Sequence, residues 1–157
     1  MERNIVLRKG KIEDAVELQK LFIETISTVC AADYNSLQIE AWIANRKDKK
    51  LWQETLQNEF VLVAQQQNEI VGFATLKQGS YLNLFYVHRN YQRQGIAKQL
   101  LANIEEEVRR LKEKTITADV SKTAKAFFEQ AGFSLLQEQT VTRKGVDLTN
   151  YKMMKLL

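Results

Sequence analysis

The chain has 157 residues, 45% of them hydrophobic and 27% charged, with a net charge of +4 at pH 7. That is ordinary globular composition at a length that makes one domain with a real core, and a single domain over 1–157 is expected. No apolar run approaches the ~20 residues that cross a bilayer, and lysines and arginines are scattered among acids rather than gathered in an aromatic-studded stripe, so neither a membrane nor a nucleic acid is expected as partner.

The first residues, Met1 to Gly10, carry charges among their apolar residues and lack the apolar stretch of a signal peptide, so a cytoplasmic location is expected. The lone Cys30 cannot close an internal disulfide and reads as a small buried residue. "NIVLRKG" (Asn4 to Gly10) reads as a short strand. From Lys11 to Thr25, Ile12, Ala15, Val16, Leu18, Phe22 and Ile23 recur near helical spacing. "DYNSLQIEAWIANR" starts a second helix, with Asn35 and Gln38 spaced as a capping box. "KLWQETLQN" is a further short helical piece, and the basic run from Arg46 to Lys50 reads as a solvated helix end.

The period then changes. "FVLVAQ" and "IVGFATLK" are strands joined by "QQNE", and "YLNLFYV" (Tyr81 to Val87) is a third. A polar loop leads into a helix from about Gly95 to Lys112, with Ile96, Leu100, Ile104, Val108 and Leu111 as the buried stripe and Glu105 to Glu107 in water. "TITADV" is a buried strand. Ser121 can cap a helix over Lys122 to Ala131, closed by Gly132. "FSLLQEQTV" and "VDLTNYKMMKL" form a last hairpin, an apolar edge through which two copies could pair as a homodimer. The order β-α-α-β-β-β-α-β-α-β-β predicts an α/β fold: a mixed, mostly antiparallel twisted sheet with helices on both faces.

The loop "NYQRQGIAKQ" before the long helix is the most informative stretch. A helix start leaves backbone N–H groups unpaired and carries partial positive charge, so it suits a phosphate if nothing blocks the approach. Gly95 and Ala97 are small enough to let the main chain come close, and Arg89, Arg93 and Lys98 add charge. The glycine spacing fits neither a Walker A loop nor a dinucleotide fingerprint.

"Gln92-Arg93-Gln94-Gly95-Ile96-Ala97" resembles the Q/R-x-x-G-x-G/A signature of the GNAT superfamily of acetyl-CoA-dependent N-acetyltransferases. "LFYVHRNY" resembles that family's fourth strand and its exit, and "AKAFFEQAGF" (Ala124 to Phe133) its A-x-x-F-Y-E-x-x-G-F segment. The element order is also the family's. "AADYNSLQIEAW" and "GVDLTNYKMMK" are similar to a bacterial subgroup of that superfamily.

The resemblance implies acetyl-CoA as co-substrate, no metal, and a small-molecule or peptide amine as acceptor. It assigns the coenzyme pyrophosphate to the amides of Gln92, Arg93, Gln94, Gly95, Ile96 and Ala97. It runs the pantetheine arm along Phe85, Tyr86 and Val87, between fourth and fifth strands that splay apart. Ser121 stands where the family often has a coenzyme-contacting asparagine. Phe128 stands where it commonly has the tyrosine that protonates the leaving thiolate, and phenylalanine can pack there but not donate. The backbone N–H of Val87 is implied as the group that polarises the thioester carbonyl.

Asp119, flanked by apolar residues on the fifth strand, is the candidate base, partly desolvated, with Asp33 as second candidate. Tyr34, Trp42, Tyr81 and Asn83 are the expected acceptor wall. His88 reads as a surface residue at the strand exit. A module of the same fold that holds acyl-CoA without turnover is the alternative function, to which Phe128 gives weight.

Overall fold

Residues 4–157 are described by a computed structural model. Strand β1 (Ile5–Lys9) leads through a 3-10 turn into α1 (Ala15–Thr28), α2 (Ser36–Ala44) and α3 (Lys49–Asn58). Strands β2 (Phe60–Gln66), β3 (Glu69–Lys77) and β4 (Tyr81–Val87) follow, then α4 (Ile96–Arg110), β5 (Thr115–Ser121), α5 (Lys125–Gln130), β6 (Ser134–Arg143) and β7 (Val146–Leu156). The seven strands form one sheet in the order β1-β2-β3-β4-β5-β7-β6, in which only β4 and β5 run parallel. The expected α/β architecture is therefore present. The short helical piece after α2 proves a full third helix between β1 and β2.

Each face of the sheet has its own core. Leu18, Phe22, Ile26 and Trp52 pack with Val63 and Phe73 on one side. Ile96, Leu100, Ile104 and Val108 pack with Ile116, Phe128 and Met153 on the other. The first connection is pinned by Arg8, whose Nη1 and Nη2 donate to Asp14 at 2.8 and 2.9 Å, while Asp14 also accepts the Lys11 amide at 2.7 Å. The hydrogen bonds from Arg8 hold the Asp14 carboxyl below the usual carboxylate range despite its burial. Asn35 and Gln38 form the expected capping box of α2.

Several local expectations give way to packing. Ile12 and Val16 are exposed, because the chain enters α1 through the 3-10 turn and the helix turns Leu21 and Ile26 inward beside the expected Leu18 and Phe22. On α4, Leu111 is exposed and Glu105 is buried. The buried stripe of α4 also takes in Leu101, which brings Glu105 against β7, where Lys155 Nζ meets its carboxylate at 3.0 Å. Helix α5 is shorter than expected: the chain first makes a turn, and the Ser121 hydroxyl accepts the Ala124 amide at 3.2 Å. Gly132 closes the segment with φ +99°.

The feature that makes room for a site is a bulge in β4. Thr75 faces Leu84 and Leu76 faces Leu82, which leaves Asn83 without a partner on β3. An extra residue switches the faces of the side chains on either side of it. Leu82 accordingly belongs to the core under α4, and Leu84 to the core under α1. Pairing of β4 with β5 stops at the same place, after Tyr81–Thr117 and Leu82–Ala118. Beyond it, β4 stays with β3 through Val87 while β5 stays with β7 through Ser121. A wedge opens between the two central strands.

Candidate active site

Two clefts meet at this wedge. The first, of about 310 Å³, is lined by Phe85, Tyr86 and Val87 of β4, by Gln92, Arg93, Gly95, Ile96, Ala97 and Lys98, and by Ser121, Thr123, Ala124 and Phe127 beyond β5. Its roof is Thr25, Val29 and Cys30 at the end of α1. The second, of about 200 Å³, lies towards α2 and the β6–β7 hairpin and is lined by Tyr34, Trp42, Arg46, Tyr81, Asn83, Asp119, Arg143 and Asn150, among others. Tyr86 and Ser121 line both, so they mark the junction.

The first cleft is built mainly from backbone. The amide of His88 donates to Val71 O at 2.8 Å, across to β3. Strand alternation then turns the Val87 N–H to the opposite edge, towards the gap left by β5. The Val87 carbonyl accepts from the Gln92 side chain, which ties the loop to the strand end. Helix α4 begins at Gly95 without a side-chain cap, and its first backbone bond runs from Gln99 N to Gly95 O. The amides of Ile96, Ala97 and Lys98 are thus left at an open helix start. Arg93 at φ +59° and Gly95 at φ +81° give the loop two left-handed turns, the backbone pattern of an anion-binding concavity. A Cβ added at Gly95 would meet nothing within 4 Å, so only the conformation and an incoming ligand call for glycine there.

Two residues expected in this cleft lie outside its lining. Gln94 is exposed and donates through its side-chain amide to Asn90 O. Phe128 is buried among Phe85, Phe127 and Phe133, because the helix phase turns it into the core under α4 and presents Phe127 to the cleft. His88 is not the surface residue expected. Its side chain is 12% exposed, its Nδ1 accepts the Asn90 amide at 3.1 Å, and Nε2 lies 3.6 Å from Glu24. Cys30 is buried as expected, and burial pushes its thiol up to about 11.

The second cleft is built from side chains. Tyr34 and Trp42 meet edge to face at 5.3 Å in its wall. The Tyr34 hydroxyl donates to Thr149 O at 2.7 Å and accepts the Lys122 amide at 2.9 Å, so it fastens α2 to both β7 and the turn after β5. Tyr81 donates to Asp119 at 2.6 Å, and Gln139 donates to the other oxygen of that carboxylate at 2.6 Å. Burial and the adjacent carboxylate push the Tyr81 phenol well above its ordinary value, so it stays a donor. Asp119 itself is exposed, and the partial desolvation expected for it is absent: its position opposite Lys152 turns it to the open end of the wedge. Asp33 is engaged by the Thr123 hydroxyl at 2.8 Å and does not line this cleft.

Arg46 departs most from its sequence reading. It is half-buried, not a solvated helix end: Nη2 donates to Thr55 Oγ1 at 2.8 Å and the guanidinium lies 4.7 Å from the Trp52 ring. Sequence reasoning missed Arg143 and Asn150, and the second role of Tyr86. Tyr86 was legible as a β4 residue but not as the junction, because the bulge that sets its face carries no sequence signal of its own. Arg143 and Asn150 reach the cleft only through the β6–β7 pairing.

An open helix start beside a wedge between two parallel strands, with a second cleft at its end, is the arrangement that the loop and strand motifs implied. The chain belongs to the GNAT acetyltransferase family: the model of an acetyltransferase (GNAT) domain matches residues 30–155. Over 150 residues it is 32% identical to YafP, an uncharacterised N-acetyltransferase of Escherichia coli (strain K12), covering 96% of this chain and 95% of that one. The crystal structure of a GCN5-related N-acetyltransferase from Rhodopseudomonas palustris superposes with a TM-score of 0.94 at 30% identity, over 100% of this chain and 99% of that one. PaiA N-acetyltransferase from Thermoplasma acidophilum, crystallised with coenzyme A, shares the fold at a TM-score of 0.82, 22% identity and coverage of 98% and 99%. Among the described residues no helix is long and apolar enough to cross a membrane.

Proposed function

We propose that the protein moves the acetyl group of acetyl-CoA to the primary amine of a small molecule or peptide, by direct attack in a ternary complex. The observation that carries this reading is the meeting of two clefts of different character at Tyr86 and Ser121. One offers open amides and strand edge to an amide-bearing, phosphorylated ligand. The other, about 200 Å³, is small and polar, which favours a small amine over a folded protein surface.

The diphosphate of the coenzyme sits at the amides from Arg93 to Lys98, and the pantetheine arm lies against Phe85 and Val87 in the place of an extra strand. The Val87 N–H polarises the thioester carbonyl. The neutral amine attacks that carbon, the C–S bond breaks, and the ammonium proton passes to Asp119 through water. Such a proton acceptor contributes on the order of 10²–10⁴-fold. Phe128 has no hydroxyl, and a thiol with a pKa near ~8.5 can leave as the thiolate. Holding both reactants at one junction supplies much of the remaining acceleration.

The test is the initial rate of free thiol release, with acetyl-CoA and a panel of primary amines varied together. Intersecting double-reciprocal lines are expected. Parallel lines would contradict direct attack. Coenzyme binding with no thiol release from any amine would favour the acyl-CoA-holding module instead.

A further inference from the structure

The arginines divide into two groups. Among the described residues, Arg8, Arg89, Arg109 and Arg110 each sit in an ion pair with an acid. Arg46, Arg93 and Arg143 do not, and these three line the two clefts. Arg93 belongs to the coenzyme loop. Arg46 and Arg143 face the second cleft, where Asp119 is the only acid in the lining.

Arg46 is held as a recognition group would be. Its carbonyl accepts the Trp52 indole N–H at 3.0 Å, its ring-stacked head donates to Thr55, and Nη1 has no partner among the described residues. Nε is buried with no hydrogen bond at all. Burial disfavours its charge, opposed by Glu59, which stands outside ion-pair distance and is itself tied to the Asn83 side chain at 3.1 and 3.2 Å. A half-buried guanidinium whose nearest acid stays beyond ion-pair distance is costly. A planar fork kept in a cavity wall is suited to a carboxylate.

We infer that the acetyl acceptor is a small amine that also carries a carboxylate, with the carboxylate seated on Arg46, Arg143 guarding the opening, and the amine turned towards Asp119 and the junction. This rests on the acetyltransferase reading and names its substrate class. The ligand's carboxylate takes the guanidinium face that Glu59, acting only from beyond ion-pair distance, leaves unbonded.

The experiment uses matched pairs: amino acids and the amines left when their carboxylate is removed, together with amines bearing a phosphate monoester. Thiol release is followed with protein saturated in acetyl-CoA, and binding is followed by calorimetry with protein saturated in CoA. The carboxylate member of at least one pair is expected to have a kcat/KM on the order of 10²-fold higher, and to bind correspondingly more tightly. In Arg46→Met the ratio within that pair falls to near one, with Arg46→Lys between. Because Arg46 packs on Trp52, melting temperatures accompany each variant, and Arg143→Gln, at the hairpin surface, gives a second and smaller fall in the ratio. Equal use of both members, preference for the decarboxylated amine, or preference for the phosphate member would overturn the inference. Carboxylate-selective binding without any turnover would sink the transferase reading and leave the site assignment standing.

Discussion

The two clefts are made differently. The cleft proposed for the coenzyme centres on the loop and helix start from Gln92 to Lys98 and the free edge of β4, roofed by the end of α1 and flanked by the turn after β5, and its open donors are main-chain amides. The acceptor cleft draws on α1, α2, β4, β5, β6 and β7, and most of its polar groups are side-chain heads. A binding surface made of backbone tolerates side-chain change but not a change of conformation. One made of heads is sensitive to each of them, and can be retuned without disturbing the other.

That contrast can be broken by mutation. The largest effect is expected from Asp119→Asn: kcat falls on the order of 10²–10⁴-fold while the dissociation constant for CoA stays within about twofold, read from steady-state rates and calorimetry. A matching loss of CoA affinity would mean that the clefts are not separable. Next comes Tyr34→Phe, which removes one hydroxyl and leaves the part-buried Lys122 amide and Thr149 carbonyl without it. Two hydrogen bonds at about 1–1.5 kcal/mol each put the loss of stability near ~2–3 kcal/mol in urea unfolding. An unchanged midpoint would make Tyr34 a substrate contact and not the fastener described here. The smallest effect concerns Cys30 in the roof of the coenzyme cleft. Its thiol is raised to about 11 by burial, so alkylation is slow at pH 7 and climbs roughly tenfold per pH unit up to that value. Saturating CoA should slow it about tenfold more, by covering the cleft. Fast alkylation at neutral pH, indifferent to CoA, would place the coenzyme elsewhere.

The same contrast explains what could be read in advance. The loop proposed for the coenzyme could be picked out because its residues are adjacent in sequence, and Gly95 at a helix start has a direct conformational meaning. Val87 was named only through the family resemblance, and the pairing of His88 with Val71 then turns its amide to the gap. The acceptor cleft was legible only in part: Tyr34, Trp42, Tyr81, Asn83 and Asp119 do come together around it. Arg46 was misread because a basic run after a helix looks solvated until Trp52 and Thr55 fold against it. Glu105 was misread for the same reason, its partner Lys155 lying fifty positions away. Phe128 was placed in the cleft by pattern, but the phase of a short helix turned Phe127 there. The bulge at Asn83, which opens the wedge, depends on register against β3 and has no local marker.

The most direct test of the account is a calorimetric titration of CoA into the wild-type protein and into Gly95→Val. Nothing lies within 4 Å of the added Cβ, so the cost to the free protein is the left-handed strain of a β-branched residue, at least about 1–2 kcal/mol, and a melting curve checks that the variant is folded. The account predicts that CoA then binds at least about 100-fold more weakly, near ~2.8 kcal/mol, because the new side chain occupies the diphosphate's place. A folded variant that binds CoA as tightly as the wild type would contradict it.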